Sequence, residues 1–130
     1  MIQILLVIIS LIIVQLDDPP EIIKAYKNNH QLILIFSSGN RSSDYEKAIL
    51  ELGKDPLGLD QRDLIIFEIF PSGGILPDGL PLLEKDAAAL RLFYEIDVTE
   101  FTMVVLNKNQ QEIFRTNQPI AVKHIFESID

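Results

Sequence analysis

Two short apolar runs, at residues 32–36 and 64–70, constrain the fold of this chain more than any other feature of its sequence. Each run is too short for a helix, and its isoleucines are typical of a strand that is buried on both faces. A helical pattern separates the two runs, so a right-handed crossover joins them and makes the strands parallel. The sequence therefore predicts an α/β domain built around a parallel pair of strands.

The segment between these two strands contains the sequence signal of a helix start. Ser43 and Glu46 fit the capping-box pattern S-x-x-E, in which a hydroxyl and a carboxylate each pair with a backbone amide. Apolar spacing predicts a second helix at residues 84–94, and a hairpin with its turn at residues 107–110 follows. A last helix opens at Pro119. The order is β-α-β-α-β-β-α, and we expect a four-stranded mixed sheet flanked by helices.

Residues 1–16 are apolar and carry no charged side chain. Their length suits the apolar core of a secretory signal better than a membrane-spanning helix of about 20 residues. No Lys or Arg precedes Lys24 and the cleavage site is poor, so a cleaved signal peptide and an uncleaved anchor both stay open. A buried strand or helix of the domain itself is the remaining alternative.

An acidic stretch with two prolines, at residues 17–20, marks a boundary after this segment. We expect residues 1–16 to be a signal peptide or membrane anchor, residues 17–30 a linker with a short helix, and residues 31–130 the folded domain. The expected location is outside the cytoplasm. The protein would be periplasmic or secreted, or anchored in the membrane with its domain facing outward.

The charge of the chain is unfavourable for nucleic-acid binding. The chain has 11 Lys and Arg against 19 Asp and Glu, which gives a formal net charge of −8. Such a surface repels phosphate backbones, and the lysines are scattered singly among acids instead of forming a basic stripe. We therefore expect no nucleic-acid partner, and any membrane attachment would run through residues 1–16.

The chain contains no cysteine. This excludes a disulfide framework, a cysteine-based zinc site, an iron–sulfur cluster and a catalytic thiolate. His124 and Glu127 have the spacing of two metal ligands on a helix, but the sequence places no third ligand beside them. Phosphate-cradling glycine motifs are also absent. We therefore expect no metal and no cofactor.

Several stretches of the domain match a known family. They are QRDLII at 61–66, DAAALR at 86–91 with the following Phe93-Tyr94, FTMVVL at 101–106 with its asparagine-containing turn, IFR at 113–115, and the closing residues 126–130. Through them, residues 31–130 resemble an uncharacterised bacterial thioredoxin-like family, the domain of unknown function DUF4174. The resemblance implies a thioredoxin-like fold and an exported protein, and it implies no activity.

The loop after the first strand, residues 37–43, is the candidate site. In active thioredoxin-like proteins the paired cysteines occupy this place, where a helix N-terminus stabilises a thiolate. Such proteins also have a cis-proline before the third strand, where this chain has Glu100, Phe101 and Thr102. Hydroxyls, the Arg41 guanidinium and amides at the helix start predict a pocket for sulfate, phosphate or a polar group, with a plain turn and helix cap as the alternative. The candidate ligand-binding residues are Ser37, Ser38, Gly39, Asn40, Arg41, Ser42 and Ser43.

These observations favour a non-catalytic, redox-inactive, exported module that binds a partner protein or a small anionic or polar ligand. We assign no catalytic residue. The alternative is a hydrolase-type enzyme that uses hydroxyls and acids at residues 37–44. An exposed apolar patch beside the hairpin would favour the binding module, whereas a deep pocket joining Arg41, Asp44 and a histidine would favour the hydrolase. Glu68, the single acid of the second strand, is expected to face the sheet edge or to pair with a lysine.

Overall fold

Six strands form one mixed sheet in the computed structural model, which describes residues 18–130. In chain order the elements are α1 (Glu21–Lys24), β1 (Gln31–Phe36), α2 (Ser43–Leu52), α3 (Pro56–Gln61), β2 (Leu64–Phe70), β3 (Gly73–Ile75), β4 (Pro81–Leu82), α4 (Glu84–Tyr94), β5 (Thr102–Leu106), β6 (Glu112–Thr116) and α5 (Val122–Ile129). The expected signal peptide or anchor at residues 1–16 lies outside the described residues. Within residues 18–130, no helix is long and apolar enough to cross a membrane.

The strand order across the sheet is β4-β3-β2-β1-β5-β6, so the expectation of four strands is wrong. β1 and β2 are parallel, as their crossover predicts, and every other neighbouring pair is antiparallel. The two additional strands, β3 and β4, span three and two residues and contain glycine or proline. Strands this short give no alternating pattern, and Gly and Pro are usually taken as turn signals.

Gly74 allows β3 to join the sheet. A Cβ atom at this position would lie 1.9 Å from the backbone carbonyl oxygen of Glu68 in β2. Because no side chain fits in that space, only glycine permits the two backbones to approach so closely.

β1 separates two apolar cores, because successive side chains of a strand point to opposite faces. Leu32, Leu34 and Phe36 pack on the face that α4 covers, whereas Ile33 and Ile35 pack on the face that α2 and α5 cover. All five side chains are fully buried. The prediction of a strand buried on both faces is therefore confirmed for β1, whereas four of the seven residues of β2 are only half-buried.

One edge of the sheet, called here the carboxyl edge, gathers the residues that follow β1 and β2 and those that precede β5. The parallel strands β1 and β2 end there, at Phe36 and Phe70, and the antiparallel β5 begins there, since Phe36 pairs with Thr102. The Ser37 amide extends the pairing by donating to the Ile69 carbonyl at 2.9 Å. Loops that are distant in sequence thus lie side by side at this edge, the usual place for ligands in α/β folds.

Candidate functional site

The loop between β1 and α2 is closed by hydrogen bonds among its own residues. The Ser37 hydroxyl donates to the Gly39 carbonyl at 2.7 Å and accepts from the Gly39 amide at 3.2 Å. The Ser37 oxygen lies 3.0 Å from the Ser42 oxygen. Because the single Ser37 proton is already engaged, Ser42 is the donor of this bond. Ser37 is only 1% exposed, so its hydroxyl is enclosed by the loop and withheld from solvent.

Ser42, and not Ser43, caps helix α2. The Ser42 backbone is extended (φ −69°, ψ 144°), and its hydroxyl accepts from the Tyr45 amide at 3.1 Å. Ser43 is already the first helical residue, so the predicted capping box with Glu46 is wrong by one position. The hydrogen bond to Ser37 fixes the Ser42 hydroxyl at the helix start, and a pattern confined to the helix itself does not include that contact.

The other candidate residues of the loop face solvent. Ser38, Asn40, Arg41 and Ser43 are exposed, and Gly39 is half-buried. What remains for a ligand here is the Arg41 guanidinium together with the Ser43 and Asp44 amides, because the Tyr45 and Glu46 amides already donate to Ser42. Ligand binding by this loop stays a prediction.

The segment before β5, which lies beside this loop, has no proline. The Thr102 hydroxyl is 3.3 Å from a Glu100 carboxylate oxygen and 3.3 Å from the Asn117 amide oxygen. No peptide bond between residues 18 and 130 is cis. Since the chain also lacks cysteine, both positions of a thioredoxin-like redox site carry hydroxyls, carboxylates and amides instead.

Asp44, the acid next to the loop, lines a different cavity. This cavity has a volume of about 790 Å³ and lies between α2 and the segment before α5. Its walls include Glu51 and Lys54, which form an ion pair at 2.7 Å. Neither Arg41 nor a histidine lines it, so this cavity does not assemble the residues that would favour a hydrolase.

The two histidines lie on segments of the chain other than the loop. His30 precedes β1, so the six-residue strand puts roughly 20 Å between it and the loop. Its Nδ1 is 3.4 Å from the Asp63 carbonyl oxygen. His124 is exposed on α5. Over the described residues 18–130, the structure brings together no group of three metal-ligating side chains.

Glu68 pairs with a tyrosine, so the expectation of a sheet-edge or lysine-paired role is wrong. Tyr45 on α2 donates its hydroxyl to the Glu68 carboxylate in β2. Burial, and then the hydrogen bond to Glu68, raise the pKa of Tyr45 well above its ordinary value. The pair ties the first turn of α2 to the sheet beside the candidate loop.

A second cleft at the carboxyl edge did not emerge from the sequence. It has a volume of about 680 Å³ and lies between α4 and the ends of β2 and β5. We call it the Arg91 cleft, after the residue that lines it together with Pro71, Leu92, Val98 and Glu100. Leu92 is 82% exposed and Val98 is 49% exposed, so the cleft presents apolar surface beside the first strand of the hairpin.

Arg91 is a buried charge that has no partner in the part of the chain that the structure describes. The residue is 6% exposed, and no atom of residues 18–130 accepts a hydrogen bond from its Nη2. No ion pair joins its guanidinium to an acidic side chain among residues 18–130. Burial lowers the pKa of the Arg91 guanidinium below its ordinary value, because the charged form loses hydration. A buried, uncompensated charge is costly to the fold, which makes this residue a candidate for function.

The sequence does contain a signal for the burial of Arg91. The buried residues of α4 are Ala87, Leu90, Arg91 and Tyr94, whose spacing i, i+3, i+4, i+7 defines one helix face. A search for apolar spacing passes over Arg91, because charged residues are rarely fully buried. The Tyr94 hydroxyl on the same face is also buried and has no partner between residues 18 and 130.

Comparison with known proteins adds a family and a fold. The family model described as "Domain of unknown function (DUF4174)" matches residues 22–130. The chain is similar to a reduced 2-Cys peroxiredoxin from Plasmodium vivax, with a TM-score of 0.61 and 16% sequence identity, over 82% of this chain and 79% of that chain. It is also similar to a cysteine-to-serine mutant of PrxQ from Xylella fastidiosa, with a TM-score of 0.56 and 14% identity, over 81% of this chain and 76% of that chain.

At these identities the structural similarity shows the fold alone. The expected thioredoxin-like α/β fold, with a mixed sheet flanked by helices, is confirmed. Among curated proteins, none matches the chain.

Proposed function

This chain belongs to the DUF4174 family, and from that premise we propose that it is a non-catalytic, redox-inactive and exported thioredoxin-like module. It binds a partner protein or a small ligand at the carboxyl edge of its sheet. The observation that carries the proposal is the hydrogen bond between Ser37 and Ser42, two hydroxyls of the loop after β1, where active thioredoxin-like proteins carry their paired cysteines.

The chemistry of these hydroxyls supports redox inactivity. One of the similar structures is by name a 2-Cys peroxiredoxin, and this chain has no cysteine at any position. A hydroxyl does not form disulfides, and it lacks the accessible thiolate state from which a cysteine attacks. The Ser37 hydroxyl is in addition buried and engaged with Gly39 and Ser42.

The shape of the carboxyl edge supports binding in place of catalysis. The Arg91 cleft offers a concave surface with exposed apolar side chains, such as Leu92 and Val98, beside the hairpin. A hydrolase would need a base near the serines, and His30 lies at the opposite end of β1. The arrangement therefore fits a recognition surface better than a hydrolytic site.

The test of redox inactivity is a peroxide-reduction assay on the full-length protein, with dithiothreitol as the reductant. We expect the protein to consume hydrogen peroxide no faster than buffer does, because no thiolate is available. Thiol-independent peroxide reduction by the wild-type protein would contradict the proposal.

A cysteine placed at position 42 reports whether the loop has the electrostatics of a thiol site. In Ser42→Cys the new thiol caps α2, where the helix N-terminus stabilises a thiolate. Ser72→Cys, in the exposed turn after β2, is the matched control. We expect iodoacetamide to alkylate the Ser42→Cys thiol at a lower pH than the Ser72→Cys thiol. Equal pH profiles would argue against the equivalence of this loop and the thiol site of active thioredoxin-like proteins.

Export is proposed from the uncharged, apolar residues 1–16. Fractionation of bacterial cells that express the full-length chain with a C-terminal tag tests it. We expect the tag in the periplasm, the medium or the membrane fraction, and N-terminal sequencing separates cleavage from anchoring. Recovery in the cytosol alone would contradict export.

A further inference from the structure

We propose that the Arg91 cleft binds the carboxylate of a zwitterionic ligand, an amino acid or short peptide that also carries an ammonium group and an apolar side chain. The inference rests on the proposed function, because it names the ligand class of the binding module. Three features of the cleft lead to it: an unpaired guanidinium, a set of acidic side chains and apolar walls.

The guanidinium of Arg91 is suited to bind a carboxylate. Arg91 is 6% exposed, lines the cleft, and carries an Nη2 that has no acceptor among the described residues. Its planar fork of donors matches the two oxygens of a carboxylate. No acidic side chain of residues 18–130 forms an ion pair with it. A bound carboxylate would therefore supply the countercharge that the described part of the chain does not.

The acidic side chains of the cleft are suited to bind an ammonium group. Glu84, Glu95, Asp97 and Glu100 line the same cleft and are exposed. Two of them are held in place, because Asp97 accepts from the Thr99 amide at 2.9 Å and Glu100 accepts from the Asp97 amide at 3.2 Å. Four carboxylates in the lining of one cleft disfavour a simple dianion such as sulfate and attract a cation. A ligand that pairs with both Arg91 and these carboxylates therefore carries a carboxylate and an ammonium group.

The apolar walls of the cleft are suited to a ligand that also carries an apolar side chain. Pro71, Ala88, Leu92, Ile96 and Val98 supply hydrocarbon surface around the charged groups. The volume of about 680 Å³ lies within the range of small-molecule sites and is large enough for a dipeptide. An aliphatic amino acid or a peptide with aliphatic side chains meets all three requirements.

The first experiment titrates the full-length protein with leucyl-leucine and with free leucine, the two sources of this chemistry. N-acetyl-leucine keeps the carboxylate without the ammonium, and leucinamide keeps the ammonium without the carboxylate. We expect the better of the two zwitterions to bind about tenfold or more tightly than either blocked compound, since each charged hydrogen-bond set contributes that much. Tighter binding of leucyl-leucine assigns the site to peptides, and tighter binding of leucine assigns it to free amino acids.

The inference is overturned if neither zwitterion binds, if the blocked compounds bind as tightly as the zwitterions, or if sulfate does. The peroxide assay separates this result from the proposed redox inactivity. A protein that reduces no peroxide and binds no zwitterion refutes the ligand class alone. A protein that reduces peroxide and binds the zwitterion refutes the redox inactivity alone.

A pair of variants on α4 locates the binding. Arg91→Met removes the guanidinium at similar length, and Lys85→Met removes an exposed cation from the same helix. We expect Arg91→Met to weaken zwitterion binding about tenfold or more and Lys85→Met to leave it unchanged. Arg91→Met should unfold at the same or a higher temperature than the wild type, because it removes an unpaired buried charge. Undiminished binding by Arg91→Met would overturn the assignment.

A measurement on the wild-type protein needs no variant. The ¹⁵N resonance of the Arg91 Nε group should shift on titration with the zwitterion that binds, whereas resonances of Arg41, in the loop at residues 37–43, should not. Binding without a change at Arg91 would place the ligand elsewhere and refute the inference.

Discussion

Tyr45 on α2 donates its hydroxyl to the carboxylate of Glu68 in β2, so a single hydrogen bond joins the first turn of the helix to the central pair of strands. The Tyr45 ring also packs edge-to-face on Phe70, with 5.2 Å between the ring centroids. Because Ser42 caps the same helical turn, the contacts of Tyr45 also hold the end of the loop at residues 37–43 against the sheet.

Replacement of Tyr45 by Phe removes the hydrogen bond and keeps the ring. Glu68 is half-buried and would lose its donor, so we expect the free energy of unfolding to fall by about 1–3 kcal/mol. Urea denaturation of the variant and the wild type measures the difference. An unchanged midpoint would show that Glu68 is equally well solvated without the tyrosine.

Tyr94→Phe is the matched control, because it removes the same atom from a hydroxyl that has no partner. Burial raises the pKa of Tyr94 above its ordinary value, and the Tyr94 oxygen forms no hydrogen bond with any of the residues that the structure describes. We expect this variant to be as stable as the wild type or more stable. A loss of stability equal to that of Tyr45→Phe would indicate that a bound water satisfies the hydroxyl.

The ion pair between Arg62 and Asp130 predicts a pH dependence of stability. Arg62 donates to the two Asp130 oxygens at 2.9 and 2.8 Å, and its guanidinium lies 3.8 Å from the centre of the Phe126 ring. The hydrogen bonds from Arg62 lower the pKa of the Asp130 side chain. A lowered carboxyl pKa stabilises the folded state above the unfolded pKa of about 3.9, and this contribution is lost as the pH falls through the folded pKa.

We therefore expect Asp130→Asn to weaken the dependence of thermal stability on pH in the acid range. Thermal unfolding midpoints of the wild type and the variant should differ at neutral pH and converge as the pH falls below about 4. Asp60→Asn removes an exposed carboxylate from α3 and serves as the control, with the wild-type profile expected. Parallel profiles for Asp130→Asn and the wild type would rule out the proposed linkage.

Gly74→Ala tests the close approach of β3 to β2. The added Cβ would lie 1.9 Å from the Glu68 carbonyl oxygen, a clash of backbone with backbone that no rotamer change relieves. We expect a loss of about 2–4 kcal/mol in the free energy of unfolding. Gly39→Ala is the control, since an added Cβ there meets no atom within 4 Å, and we expect a change within about 0.5 kcal/mol. Similar losses in the two variants would contradict the described pairing.

The parts of the fold that could be predicted are those with long, repetitive patterns. β2 and α4 begin and end at the residues expected from the sequence, 64–70 and 84–94, because seven apolar-rich positions or three helical turns leave little ambiguity. β3 and β4 could not be predicted, since their pairing depends on the close approach at Gly74 and not on a local pattern.

The loop that holds the candidate residues was predictable in position but not in detail. The order of elements places residues 37–43 after the first strand, and the loop lies there. Which serine caps α2 depends on Ser37, a contact across the loop that local patterns omit. Arg91 belongs to a helix face that packs on the sheet, and only the packing shows that its charge has no partner within residues 18–130.

The strands at the two edges of the sheet are poor templates for a further strand. β4 has two residues and begins with Pro81, which has no amide to donate. At the other edge, β6 has an irregular register opposite Val105 and carries Glu112 and Arg115, paired at 2.6 Å. Short, charged and irregular edges oppose pairing between molecules. The two-residue strand β4, which local patterns do not predict, therefore covers the outer edge of β3 and disfavours edge-to-edge pairing of folded molecules.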